Sequence, residues 1–222
     1  MKNNSIIILL LLIFIVPKPG NAQTVNWTSF GNGLKHIINL NAGFDNSATI
    51  GIGYGQKLNT SFPLLLSVEY SAPAGKTIFD DFKTKLGGQA EVVKAGRFSA
   101  TVKAYGIFRR NESDYVRLLN FGSEFSTVMG YYKSSWHAAG ELGFDKAIIT
   151  HVQHKDIMKE SYPGIKDGWY MPTGGNFFYG IQTGKSFKNN DVYIRIGKTV
   201  AQDLKNKATI PLYFQLGVNG RF

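Results

Sequence analysis

The chain has 222 residues, 25 Lys and Arg against 15 Asp and Glu, and no Cys, giving a formal charge of +10. The length suits one domain, and the lack of Cys rules out a disulfide framework, so hydrogen bonding and packing must hold the fold. The bases are spread among turns, loops and alternate strand positions instead of forming a stripe or arm, which argues against a nucleic-acid binder and for contact with anionic lipid headgroups or lipopolysaccharide.

At the amino end, Lys2, the unbroken apolar run from Ile6 to Val16 and the small residues of Gly20-Asn21-Ala22 predict a cleaved secretory signal over 1–22. That run is too short for a helix crossing a hydrocarbon core of about 30 Å. No Cys follows it, which excludes lipoprotein attachment. Cleavage would remove Lys2 and Lys18 and no acid, so the mature chain is expected to carry two charges fewer, +8. Residues 23–33, with Trp27 and Phe30, either extend the first strand or form a periplasmic lead-in, and 34–222 is the expected barrel domain.

Beyond the signal no stretch reaches the roughly 18 apolar residues of a spanning helix, while a period of two recurs along the chain. The first strand is expected over Leu34 to Phe44, with Ile38, Leu40 and Ala42 opposed to Ile37, Asn39 and Asn41. The second sets Ile50, Ile52 and Tyr54 against Gly51, Gly53 and Gly55, and glycines on one face only indicate a crowded interior. The third (Phe62 to Ser71) opposes Leu64, Leu66, Val68 and Tyr70 to Leu65, Ser67 and Glu69. The fourth (Lys83 to Ala95) and fifth (Phe98 to Phe108) follow across a tight Gly96-Arg97 turn, with Lys85, Gln89, Glu91, Ser99, Thr101 and Lys103 on their polar faces. In the sixth, Leu119 to Tyr131, Asn120, Glu124 and Ser126 alternate with Phe121, Phe125 and Met129. The seventh opposes Trp136, Ala138, Leu142 and Phe144 to His137, Glu141 and Asp145. The eighth spans Phe177 to Phe187, and the ninth, Val192 to Thr199, carries Tyr193 and Arg195 on its polar side.

The last segment sets Ile210, Leu212, Phe214, Leu216, Val218 and Phe222 on one side, with Tyr213, Gln215, Asn219 and Arg221 on the other. An apolar-out, polar-in strand ending in a carboxy-terminal Phe resembles the closing strand of bacterial outer-membrane β-barrels. In that class the assembly machinery recognises this end, which makes Phe222 the expected assembly signal. With it the count is about ten, an even number as single-chain barrels require, with eight and twelve as the alternatives. The expected fold is therefore all-β, a single-chain antiparallel up-and-down transmembrane barrel, monomeric, in the outer membrane.

The connections sort accordingly. Asn59-Thr60-Ser61, Gly96-Arg97, Tyr132 to Ser135 and Lys188 to Asn190 are the expected periplasmic turns. Ala72 to Asp81, Arg109 to Tyr115, Thr150 to Gly175 and Ala201 to Lys207 are the expected outside loops, and Asp45 to Ser47 is brief. A soluble sandwich would place mainly charged residues on its polar faces. Here those faces carry Gly, Ser, Asn, Gln and Tyr, with Glu69, Glu91, Glu124, Glu141 and Asp145 balanced by Lys57, Lys85, Lys103, Arg195 and Arg221, a set suited to pairing across a narrow lumen. Phe62, Phe98, Tyr131, Tyr132, Trp136, Phe187 and Phe222 fall at the periplasmic rim, as an interfacial aromatic girdle would. Eight strands leave an interior that side chains fill and water-filled channels need about sixteen, so a wide porin is not expected.

Chemistry is sparser. The resemblance to small barrels admits a lipid A or phospholipid-modifying enzyme, with His137 as its weak catalytic candidate beside Ser134, Ser135 and Glu141. However, four residues along a strand separate His137 from Glu141 by roughly 13 Å, so a triad would need partners from other strands. His151, His154, Asp156 and Glu160 share the longest loop without any ligand motif, and no metal or other cofactor is expected. The same loop carries Trp169, Tyr170 and Met171 between turn formers, an aromatic stretch suited to recognising an extracellular ligand. The function expected is a structural or recognition protein whose partners are outer-membrane lipid, lipopolysaccharide, the assembly machinery and that ligand. A lipid-modifying enzyme and a narrow solute channel are the alternatives.

Overall fold

The computed structural model describes residues 25–30, 33–45, 47–58, 60–73, 81–171, 174–203 and 211–222. The expected signal over 1–22, residues 23–24 and 31–32 of the expected lead-in, Asn59 of the first expected periplasmic turn, Ile210, and parts of the expected outside loops lie outside these residues.

Among the described residues there are eleven strands: β1 (His36–Asp45), β2 (Ser47–Leu58), β3 (Leu64–Pro73), β4 (Phe82–Ala95), β5 (Phe98–Glu112), β6 (Val116–Tyr132), β7 (Trp136–His154), β8 (Gly168–Tyr170), β9 (Gly175–Phe187), β10 (Asn190–Ala201) and β11 (Leu212–Arg221). Each pairs antiparallel with its neighbours, and the β1–β11 and β6–β7 ladders both form, so ten of them close into a barrel. The short β8 pairs only with the far end of β7, outside the closed ring. Closure leaves no sheet edge within the ring, the condition for strands to stand in lipid, where no water satisfies a backbone group.

Period-two alternation sets the faces as the sequence indicates. Asn39, Ser67, Glu69, Gln89, Thr101, Lys103, Glu124, Glu141, Gln182 and Asn219 are buried, while Ile52, Leu66, Leu86, Phe125, Leu142, Ile181 and Leu216 are exposed on the outer wall. Val92 in β4 and Ile148 in β7 are extra residues at bulges, and each locally shifts the register.

The described residues of the four expected short turns all lie at the end that also holds both the residue-25 segment and Phe222, here named the turn end. At the opposite loop end the strands run further than expected. The loop expected over Arg109 to Tyr115 shrinks to a turn at 113–115, because β5 continues to Glu112 and β6 begins at Val116. Residues 150–175 likewise contain the end of β7, a helix α1 (Asp156–Ser161) and β8. The Glu112↔Arg117 and Leu119↔His151 pairs extend the ladders beyond the apolar wall, and charged side chains held in ion pairs keep this extension regular.

Two aromatic rings bound the apolar wall. At the loop end Tyr70, Phe82, Phe108, Phe121 and Trp169 stack in series with centroids 4.9–6.2 Å apart. At the turn end Tyr131 packs on Trp136 and His36 packs between Tyr54 and Phe222. Tyr132 does not join this ring: it is the neighbour of Tyr131 on an alternating strand, so it faces inward and is 2% exposed. Phe121 and Tyr131 are ten residues apart on β6, about 33 Å of strand, or about 25 Å along the axis at a tilt of about 40°. That height matches the hydrocarbon band of an outer-membrane barrel.

Candidate functional site in the barrel lumen

The segment before β1 turns into the barrel. Trp27–Ser29 form a single 3-10 turn capped by Asn26, whose side chain accepts from the Thr28 N–H. The Asn26 amide donates to the Lys133 carbonyl (2.7 Å) and to Ser186 Oγ (3.2 Å), and Trp27 Nε1 donates to Thr101 Oγ1 at 2.9 Å. Val25, Trp27 and Phe30 pack with Ile37 and Leu65 into a buried cluster. This plug has apolar residues to bury, and the inward Ile37 and Leu65, which break the polar face of their strands, are what it buries them against.

Arg221 fastens the plug to the wall. Its guanidinium pairs with Asp191 at 3.0 Å and donates to the Lys188 carbonyl (3.1 Å) and the Ser29 hydroxyl. The Asp191 and Arg221 side chains are fully desolvated, so the pair holds because hydrogen bonds accompany the charge attraction.

Near the turn end of β7, His137 is fully buried and lies face to face with Tyr132, centroids 5.5 Å apart. Neither ring nitrogen has a hydrogen-bond partner among the described residues. Glu141 is held elsewhere, accepting from Arg195 Nε and the Tyr213 hydroxyl. Ser134 and Ser135 are exposed in the β6–β7 turn. The structure thus does not assemble His137, Ser134, Ser135 and Glu141 into a nucleophile, base and acid, and the imidazole faces the lumen, away from the lipid.

The middle of the lumen is a layer of crossed charges and rings. Arg195 lies over Phe178 and Tyr213 (5.7 and 5.0 Å to their centroids) while bound to Glu141. Lys85 pairs with Glu124 at 2.6 Å and lies over Tyr105, whose hydroxyl meets Ser67 Oγ at 3.2 Å. Tyr193 receives a hydrogen bond from Asn39 at 2.8 Å. Glycine makes room for these rings: a Cβ on Gly217 would stand 2.4 Å from Tyr193 Cζ, and one on Gly197 2.3 Å from the Tyr213 oxygen.

Above this layer an open polar cavity of about 730 Å³ faces the loop end, with Asn41, Lys83, Lys85, Arg109, Asp145 and Arg195 among its lining residues. Arg109 binds Asp145 and also donates to Asn120 Oδ1 at 3.1 Å, and Lys83 stands 3.8 Å from Asp145. Arg109 and Asp191 were not singled out in the sequence, although each has the parity of the lumenal residues on its strand. Both sit beside residues that read as turn or loop, which hid the alternation.

At the rim, Glu112 accepts from Arg117 (2.9 and 3.1 Å), Arg110 and Lys155, and these hydrogen bonds hold its carboxyl well below the usual carboxylate range. Asp167 is held low in the same way by the His154 N–H, the Lys159 ammonium and the His154 ring. His151 packs outward against Trp169, centroids 4.8 Å apart, whereas His154 is tied to Asp167, so the loop histidines diverge. Among the described residues no three His, Asp or Glu side chains gather as a metal site. Trp169 joins the outer aromatic ring through β8 and does not cap the mouth. Tyr170 donates to the Lys166 carbonyl at 2.9 Å, and Met171 is 82% exposed at the tip.

No family model matches the chain, and no curated protein matches its sequence. Among solved structures it is similar to the KdgM porin in complex with disordered oligogalacturonate, at 11% identity, over 84% of this chain and 99% of that one, with a TM-score of 0.43. A second structure of KdgM porin gives 11% identity, the same coverage and 0.42. OmpTdeltaL8, a loop-deletion mutant of an outer membrane protein of Vibrio cholerae, gives 9% identity over 83% of this chain and 63% of that one, with 0.27. The closed ten-strand antiparallel barrel, polar within and apolar without, has the architecture of the outer-membrane β-barrel proteins.

Proposed function

We propose that the chain is an integral protein of a bacterial outer membrane, its turn end in the periplasm, that serves as a closed membrane-embedded scaffold and makes recognition contacts at its outward loop end. One observation carries this reading: the lumen is crossed at two levels, by the Glu141–Arg195–Tyr213 layer and by the Trp27 plug, while its large cavity opens at the loop end. Paired charges that neutralise one another favour a filled barrel, since a conducting lumen keeps its charges solvated. The vestibule above Arg195, and the rim bearing Tyr170 and Met171, are the surfaces left for an outside ligand.

The test is conductance. The purified barrel in planar bilayers is expected to stay silent, and discrete conductance steps would replace the scaffold with a channel. The membrane assignment is tested separately. The protein should fractionate with outer membranes and migrate differently on gels before and after heating, and a soluble periplasmic pool would overturn it. If the chain instead modifies lipid, expressing it should change the cell's lipid profile in a way that His137→Ala abolishes.

A further inference from the structure

The turn end differs in charge from the rest of the surface. Lys35, Lys94, Arg97, Lys185 and Lys188 are exposed there and Lys133 is half-buried, whereas the acidic side chains described at this end, Glu91 and Asp191, are both buried. The loop end, by contrast, interleaves Glu112 and Asp167 with its bases. Three of the turn-end cations converge on the outer wall of β5, β6, β7 and β9. Arg97 donates to the Tyr131 hydroxyl at 3.0 Å, and Lys133 lies over both Tyr131 and Trp136 (6.0 and 5.6 Å to their centroids). Lys185 is the cross-strand partner of Trp136 and lies over Phe187 at 5.2 Å. Arg97 and Lys133 from the turns and Lys185 from the wall thus gather over aromatic rings, the pairing of cations with rings found at a lipid headgroup boundary.

Directly beside these cations the outer wall is hollowed. A groove of about 630 Å³ runs from Trp136 and Lys185 past Thr183 to Val192, Ile194 and Leu216. The hollow exists because Thr183 and its cross-strand partner Ala138 are small while Trp136, Ile194 and Leu216 around them are large. Its walls are almost wholly apolar, and its cationic end lies at the level of the aromatic ring. An apolar trough capped by bases, with no exposed acidic side chain beside it among the described residues, is complementary to one amphiphile, an anion on an acyl chain.

We infer that this face is a binding site for an anionic phospholipid of the periplasmic leaflet, its phosphate held by Lys133, Lys185 and Arg97 and one acyl chain lying in the Thr183 groove. The inference rests on the outer-membrane reading, because it needs the turn end at a membrane boundary. Each Lys or Arg next to an anionic lipid surface is worth about fivefold in binding, so removing three should lower it about a hundredfold.

The experiment uses the full barrel in detergent. Retention of phosphatidylglycerol, phosphatidylcholine and inorganic phosphate is compared by native mass spectrometry for the parent, the R97Q/K133Q/K185Q variant and T183W. The parent is expected to retain phosphatidylglycerol well above phosphatidylcholine and not to bind inorganic phosphate alone. The triple variant should lose that preference, and T183W, which fills the groove, should weaken both lipids. Equal retention of the two lipids, a phosphate signal without lipid, or an unchanged T183W would each overturn the site. Heat-shifted mobility is recorded for every variant, so a barrel that fails to fold, or a protein that is not a membrane barrel, is recognised separately from a barrel that lacks this lipid.

Discussion

Glu141 is the most informative residue to perturb, because its carboxylate joins Arg195 and Tyr213 across strands 54 and 72 residues apart in sequence. Its side chain is 1% exposed and that of Arg195 16%. Glu141→Gln keeps the volume but removes the charge, taking from the guanidinium its hydrogen-bonded carboxylate where it stands near Lys85 and Lys103 at the floor of the cavity. One-sided loss of a buried pair costs about 3–5 kcal/mol. At about 2–4 °C per kcal/mol for a domain of this size, the melting point should fall by roughly 6–20 °C. The assay is the temperature at which the folded gel band converts to the unfolded one. E141Q/R195Q should recover most of the loss, since no lone charge is left. A melting point for E141Q within about 2 °C of the parent would refute the reasoning, showing that water screens the pair and that the lumen is wet.

Deleting Phe222, whose carbonyl accepts from the Lys35 and His36 N–H groups and whose ring packs on His36, should lower the yield of folded barrel. Unchanged yield would count against a terminal assembly signal. Trp27→Ala removes a buried indole and its bond to Thr101, a change worth about 3–5 kcal/mol in a packed site, so residues 25–30 should become open to added protease while the barrel keeps its heat-shifted mobility. Persistent protection would show that Asn26 and Arg221 hold the plug by themselves. The rim has its own pH signature. Because the Glu112 and Asp167 carboxyls are depressed in the folded state, their contribution is fully present above the ordinary carboxylate range near pH 4 and is lost as pH falls below it. Amide protection factors over 155–171 should therefore hold from pH 7 to about 5 and drop only in stronger acid, and loosening already by pH 6 would contradict this assignment.

The fold was legible because barrel strands obey a local rule. A side chain's face follows from its parity along the strand, so Leu65, Ser67 and Glu69 could be placed inside and Leu64, Leu66 and Val68 outside without knowledge of any partner. The same rule, followed strictly, would have put Tyr132 inside and extended β5 through Arg109 to Glu112. Composition at the strand ends obscured it, since an aromatic near a turn resembles a girdle and an Arg-Arg-Asn run resembles a loop. The charge balance of the polar faces was also readable, and Lys85–Glu124 and Arg195–Glu141 realise it.

The amino-acid sequence by itself determined the membrane-level part of the ring strands, their faces, the short turns and the closing aromatic segment, all set by neighbours one or two residues away. Only the tertiary structure decided which charges meet, that Val25 to Phe30 enter the turn-end mouth, and that Trp169 joins the outer aromatic ring. Those contacts span up to 192 residues, as between Ser29 and Arg221, and exist only once the β1–β11 ladder closes the barrel. Closure brings distant lumenal side chains within hydrogen-bond reach, and no local periodicity encodes which of them will face each other.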